Sequence, residues 1–180
     1  MRIFYGAAIQ GERDRGERAS LHRTLIDIIK AEGNEIVGEH TTGRNIAETA
    51  AHLKKIIPNL PETDRERRIA VRNKMIEYIE SDIDAAIFEV STPSHGTGME
   101  IAHAYLRPRM GIREIPILTL YQHDYWPHKL STMVQGLSTE AFPNIQQREY
   151  RNTEEAAQYV QEFLRYMQTK VSASIRQQTI

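Results

Sequence analysis

Short apolar runs that alternate with segments of helical periodicity constrain the fold of this chain more than any other feature of its sequence. Arg2-Ile3-Phe4-Tyr5-Gly6-Ala7-Ala8-Ile9 is almost continuously apolar and broken by glycine, the form of a parallel strand buried on both faces that runs into a tight loop. Leu21, Leu25, Ile28 and Ile29 then recur at helical spacing from about residue 17, and Gly33-Asn34 supplies a stop. Glu35-Ile36-Val37-Gly38 predicts a brief second strand, Asp84 to Val90 a third, Ile115 to Leu120 a fourth and Ile145 to Tyr150 a weaker fifth. Between the second and third strands, Ile46 to Leu53 predicts a helix ended by Pro58 and Pro61. Another helix follows from Asp64, with Ile69, Met75 or Ile76 and Ile79 inward and the run Arg65, Arg67 and Arg68 on a solvated face rather than at a binding site. The last helix opens on Asn152 with Glu155 three residues on, and carries Ala156, Val160, Phe163, Leu164 and Met167 as its apolar stripe. This alternation implies a parallel sheet covered on both faces: a single doubly wound, flavodoxin- or Rossmann-like α/β domain with about five strands. The domain is expected over residues 1–171, with the small and polar residues 172–180 as a flexible C-terminal tail.

In such folds ligands bind at the carboxyl ends of the strands, so a site is expected in the loops after residues 9, 38, 90 and 120. Composition narrows the ligand. A length of 180 residues with 40% hydrophobic content fits one continuous core. With 23 basic and 24 acidic residues the net charge is -1, which supplies no global basic field for a nucleic acid polymer; a monomer is the expected link to nucleic acid. The absence of cysteine excludes disulfides, thiolate metal sites and a cysteine nucleophile. The seven histidines are scattered, without the i, i+4 pair and intervening Glu of a zinc site, so no metal is expected. No segment approaches the ~20 apolar residues of a membrane span, and the N-terminus lacks the pattern of a signal peptide, so the chain reads as soluble and cytoplasmic with no membrane partner.

The unusual chemistry follows the third strand, in Ser91-Thr92-Pro93-Ser94-His95-Gly96-Thr97-Gly98-Met99-Glu100-Ile101-Ala102-His103-Ala104. Gly96 and Gly98 let the backbone turn closely past a ligand, and the small and apolar residues from Met99 predict a helix whose first turn carries Glu100. A helix N-terminus favours the ionised carboxylate, which suits a nucleophile. From the local sequence alone, Glu100 serves equally well as a plain complement to the helix dipole.

Gly-x-Gly-Met-Glu followed by an apolar residue, after a strand ending Asp84-Ala85-Ala86-Ile87-Phe88-Glu89-Val90, resembles the nucleoside 2-deoxyribosyltransferase superfamily, and within it the branch of 2'-deoxynucleoside 5'-phosphate N-hydrolases. The resemblance runs through most of the chain. It includes Phe4-Tyr5-Gly6-Ala7-Ala8-Ile9-Gln10-Gly11-Glu12-Arg13-Asp14, the pair Glu39-His40, the loop from Pro93 to Glu100, and Leu130-Ser131-Thr132-Met133-Val134-Gln135-Gly136.

It implies that Glu100 attacks the anomeric carbon, expels the base and forms a glycosyl-enzyme ester, as in a retaining glycosidase. Water then releases deoxyribose 5-phosphate. Tyr5 or Phe4 would lie against the sugar and nucleophile, although an aromatic residue on the first strand is as often core. Ser94, six residues before Glu100, stands where the transferases carry a carboxylate for a free 5'-hydroxyl; it matches the hydrolase serine that binds the 5'-phosphate, assisted by Gly96 and Gly98. The first loop, Ile9, Gln10, Gly11 and Arg13, would surround the phosphate, with Ala8 in the place of a phosphate-binding serine. His40 would lie near base or sugar. Ser131, with Met133 beside it, matches a serine given to the neighbouring subunit, which implies a homodimer with shared sites. Capping accounts for either serine, and an ordinary loop position for His40, without the resemblance.

One departure is larger. The family carries an Asp in the helix before the third strand, where this chain has Met75. Glu77, after a shift of register, and Glu89 are the other carboxylates available for acid/base work, with a structural role for Glu89 the simpler reading. The expected function is therefore metal-free and cofactor-free hydrolysis of deoxyribonucleoside 5'-monophosphates. The alternatives are deoxyribosyl transfer between bases and nucleotide binding without turnover.

Overall fold

The computed structural model describes residues 1–8, 15–125, 129–137 and 139–178, with side chains up to residue 169 except that of residue 15. The expected loop residues Ile9, Gln10, Gly11 and Arg13 lie outside the described residues. The strands are β1 (Arg2–Ala7), β2 (Glu35–Val37), β3 (Ala85–Glu89), β4 (Ile117–Gln122) and β5 (Ile145–Tyr150). The helices are α1 (Arg15–Ala31), α2 (Ile46–Ile56), α3 (Asp64–Glu80), α4 (His95–Tyr105), α5 (Thr132–Gln135) and α6 (Thr153–Gln178), and a short 3-10 turn spans Arg107–Met110. All strand pairings are parallel, in the order β2-β1-β3-β4-β5. This is the doubly wound α/β architecture, and its order reverses between β1 and β3, where such sheets open a crevice.

The side-chain period of two sorts each strand into two cores. Ile3, Tyr5 and Ala7 of β1, with Ala85 and Ile87 of β3, pack against α1 and α6 through Leu25, Ile29, Val160 and Phe163. Phe4 of β1, with Ala86 and Phe88 of β3, packs against α3 and α4 through Met75, Ile79, Ile101 and Ala104. Burial on both faces explains why the central strands read as unbroken apolar runs, whereas β5, at the sheet edge, exposes Arg148 and Glu149 between its buried ends.

Local signals set the boundaries. Gly33 ends α1 at φ 76, a left-handed conformation that favours glycine. Asn152 accepts from the Glu155 amide at 2.8 Å, and the Glu155 carboxylate accepts from the Arg151 amide at 2.7 Å, which starts α6. The helix continues through Gln178, past the position where the tail was expected to begin. Two expectations about α3 need correction. Ile69 is 50% exposed rather than inward, and Arg67 and Arg68 do not face only bulk solvent, because the N-terminal half of α3 overhangs a cavity instead of the core. Among the described residues no helix is long and apolar enough to cross a membrane.

Candidate active site

Glu89 and Glu100, two of the carboxylates that the sequence offered for chemistry, lie on opposite faces of the sheet. Glu89 points to the α1 side, where its carboxylate forms a buried ion pair with Arg18 and accepts hydrogen bonds from the Tyr150 hydroxyl at 3.0 Å, the Ser91 amide at 3.1 Å and the Ser91 hydroxyl. Arg18 also donates to Gln122 at 2.9 Å and lies 4.8 Å from the Tyr125 ring centre. Burial raises the pKa of Glu89, but the Arg18 charge, with His22 and Ser91, outweighs it and holds the group below the usual carboxylate range. Glu89 is thus a structural anion that joins α1, β3 and β5. Tyr5 lies on the same side, where its hydroxyl shares a 2.9 Å hydrogen bond with His22 Nδ1. That side of β1 is turned away from Glu100, so Tyr5 is not brought against it. Phe4 is on the Glu100 side but packs on Phe88 at 5.8 Å between ring centres.

Glu100 reaches the other face from α4. That helix begins earlier than its sequence pattern predicts: Ser94 accepts from the Thr97 amide at 3.2 Å as N-cap, so helical structure starts at His95 and Glu100 falls in the second turn. Gly96 and Gly98 are helical residues rather than loop. Each costs about 1 kcal/mol against alanine, and a serine cap returns about the same amount. Burial of Thr97, Ile101 and Ala104 on the sheet then favours the helix. The glycine that matters for Glu100 is instead Gly6 of β1. A Cβ there would stand 2.9 Å from Glu100 Oε2 and 2.7 Å from the Phe88 ring, so only glycine lets the carboxyl group rest on the sheet.

Away from the helix terminus, the dipole no longer favours ionisation of Glu100. It is 9% exposed, its Oε2 has no hydrogen-bond partner among the described residues, and burial pushes its pKa up to about 8. The expected anion is therefore a neutral acid at neutral pH in the unliganded protein.

Glu100 opens on a cavity of about 580 Å³ between α2, α3 and α4. Met75 and Ile76 flank it at the buried end, α2 contributes Ile46, Thr49, Ala50 and Leu53, and α3 contributes Arg67, Arg68 and Arg72. The segment after β2 thus covers the site. Comparison with protein-family models and with curated proteins finds no match to this chain.

Of the other residues expected from sequence, Ser94, Gly96 and His40 line the same cavity. His40 is buried and donates from Nδ1 to the Gly38 carbonyl, so the neutral ring presents Nε2 as an acceptor. Burial, only partly offset by that bond, lowers its pKa. Gly98 is exposed on α4, and Ala8 is buried at 2% in the core; neither lines the cavity. Ser131 and Met133 are exposed at α5, outside the cavity, with Met133 81% exposed. Glu77 is exposed and paired with Lys74. Among the described residues no group of three or more His, Cys, Asp or Glu side chains is disposed to hold a metal ion.

Because the folded chain retains the Glu100 proton between pH 4.5 and about 8 while the unfolded chain loses it, Glu100 lowers stability as pH rises through that window. Glu100→Gln is expected to match the native protein near pH 4.5 and exceed it increasingly toward pH 8, by at most about 5 kcal/mol. Urea unfolding of both proteins across this range checks the trend; a constant difference would show that the carboxyl group is not desolvated.

Proposed function

We propose that this chain hydrolyses the N-glycosidic bond of deoxyribonucleoside 5'-monophosphates, with Glu100 as nucleophile. The observation that carries the reading is the buried carboxyl group of Glu100, without a hydrogen-bond partner for its Oε2 among the described residues, on a cavity of about 580 Å³, a volume within the usual range of small-molecule sites. The resemblance of the Gly96-to-Glu100 segment to deoxynucleotide N-hydrolases agrees with it.

In the mechanism, Glu100 first loses its proton to solvent, and the carboxylate oxygen then bonds to C1' as the bond from C1' to the base breaks. Water next adds its hydroxyl to C1', the ester opens, and its remaining proton goes to the base. The products are free base and deoxyribose 5-phosphate. Ser94 accepts from the Thr97 amide and keeps its own hydroxyl hydrogen for a phosphate oxygen, beside the first-turn amides of α4. A carboxylate at position 94 would repel that phosphate.

Base release should occur from monophosphates without an acceptor base, and Glu100→Ala should lower it by at least about 1000-fold. Because the reactive form is the anion, kcat/KM should rise with pH, bend near 8 and level off above it. Chromatography of released base over pH 5 to 9 tests both. A rate that falls above pH 8 would make Glu100 a proton donor instead, and a new nucleoside formed only with added base would indicate transfer.

Ser131 and Met133 are exposed and do not line the cavity, so a role for them at a site would belong to a second copy of the chain, and the proposal includes a homodimer. Sedimentation should give a dimer, and Met133→Glu should shift it toward monomer; a native protein that sediments as a monomer at assay concentrations would remove both residues from the site.

A further inference from the structure

Cleavage of a glycosidic bond must accommodate the electron pair that leaves with the base, and the cavity limits how this can be done. Among the described residues its titratable lining is Glu100, His40, Asp64, Arg67, Arg68 and Arg72. Glu100 is occupied with C1'. His40 spends its ring hydrogen on the Gly38 carbonyl and is held neutral by burial, so it accepts rather than donates. Asp64 is bound to Arg68 at 2.6 Å at the exposed start of α3, roughly 16 Å along the helix axis from Met75. Met75, which lines the cavity with Glu100, is apolar. Among the described residues, the lining thus offers no proton donor placed for the leaving base.

Cations remain, and they are not equivalent. Arg67 donates to the backbone carbonyls of Pro61 at 3.2 Å and Glu62 at 2.5 Å, and Arg68 is held by Asp64. Arg72 has only the Asn73 side-chain oxygen at 3.1 Å and, among the described residues, no carboxylate within ion-pair distance. It lies three residues before Met75 on the cavity face of α3, about 5 Å along the axis, within the reach of a long side chain. Among the described residues four of its five N–H donors are uncommitted, arranged in a planar fork that matches two adjacent acceptors.

Resting on the hydrolase reading, we propose that Arg72 stabilises the departing base as an anion, and that the chain therefore acts on nucleotides of uracil-type bases in preference to cytosine. As the bond to C1' breaks, the electron pair passes to the ring nitrogen and spreads onto the adjacent carbonyl oxygen; the Arg72 fork pairs with both. The water that opens the ester supplies hydroxyl to C1' and the proton that neutralises the base, so no acid is consumed. Cytosine carries an amino group in place of one carbonyl and forms a poorer anion.

The test uses the full chain with dUMP, dTMP, 5-fluoro-dUMP and dCMP, measuring kcat and KM for the native protein, Arg72→Gln and Arg72→Lys. Native protein should release uracil-type bases at least about tenfold faster than cytosine. Arg72→Gln should lower kcat for dTMP about 100-fold with little change in KM, and lower it less for 5-fluoro-dUMP, whose base needs least help; Arg72→Lys should recover part of the loss. Position 72 is exposed, so thermal unfolding of the variants should match that of the native protein. A uniform rise in KM for every monophosphate would overturn the proposal and make Arg72 a phosphate ligand, as would equal release of cytosine and uracil overturn it. Native protein that releases no base at all would overturn the hydrolase reading itself, whereas release without an Arg72 signature overturns only this inference.

Discussion

Glu100 occupies a position where desolvation is uncompensated, and the surrounding architecture exists to hold it there. Gly6 removes the side chain that would otherwise fill the space, Phe88 supplies an apolar floor, and α4 fixes the backbone through its Ser94 cap. Leaving a carboxyl group without a charged partner costs stability as soon as it ionises, so the group stays protonated until a ligand changes its surroundings. The rest of the fold bears that cost through two separate apolar cores on a central sheet whose main strands are covered on both sides.

Glu89 makes the comparison within one molecule. It is more deeply buried than Glu100, yet Arg18, Ser91 and Tyr150 satisfy it and keep it ionised. One carboxylate ties elements together and the other is kept available. The difference follows from which sheet face each side chain enters, since α1 brings an arginine to one face and α2 and α3 bring a cavity to the other. A charge pair that has to be satisfied in the interior is costly to interrupt, whereas an isolated acid can change its protonation state within an ordinary pH range.

Much of this was legible in the residues. Period-two burial and the apolar stripe of α6 come directly from local physics, as do the Asn152 cap and the stop at Gly33. The start of α4 was not, because two glycines read as loop until Ser94 is seen to cap them and Thr97 and Ile101 to bury against the sheet. The parity of β1 separates Tyr5 from Gly6, but which parity faces the site depends on where α4 docks, a nonlocal fact. The arginines of α3 read as solvated because periodicity distinguishes core from solvent and cannot register a cavity between neighbouring helices. Asp64, Arg68, Arg72 and Ile76 do recur at intervals of four, the one sequence signal that could have marked this face.

The central claim is that Glu100 forms a covalent bond to the sugar, and trapping tests it most directly. A deoxynucleotide bearing fluorine at C2' slows both chemical steps by destabilising the positive charge that develops at C1', and a good leaving base restores the first, so that the ester accumulates. Mass spectrometry of the intact protein and of its peptides should then find one fluorodeoxyribose phosphate group, on the peptide containing Glu100 and absent from Glu100→Gln. Stoichiometric release of base with no adduct, or with the sugar on another residue, would contradict the account.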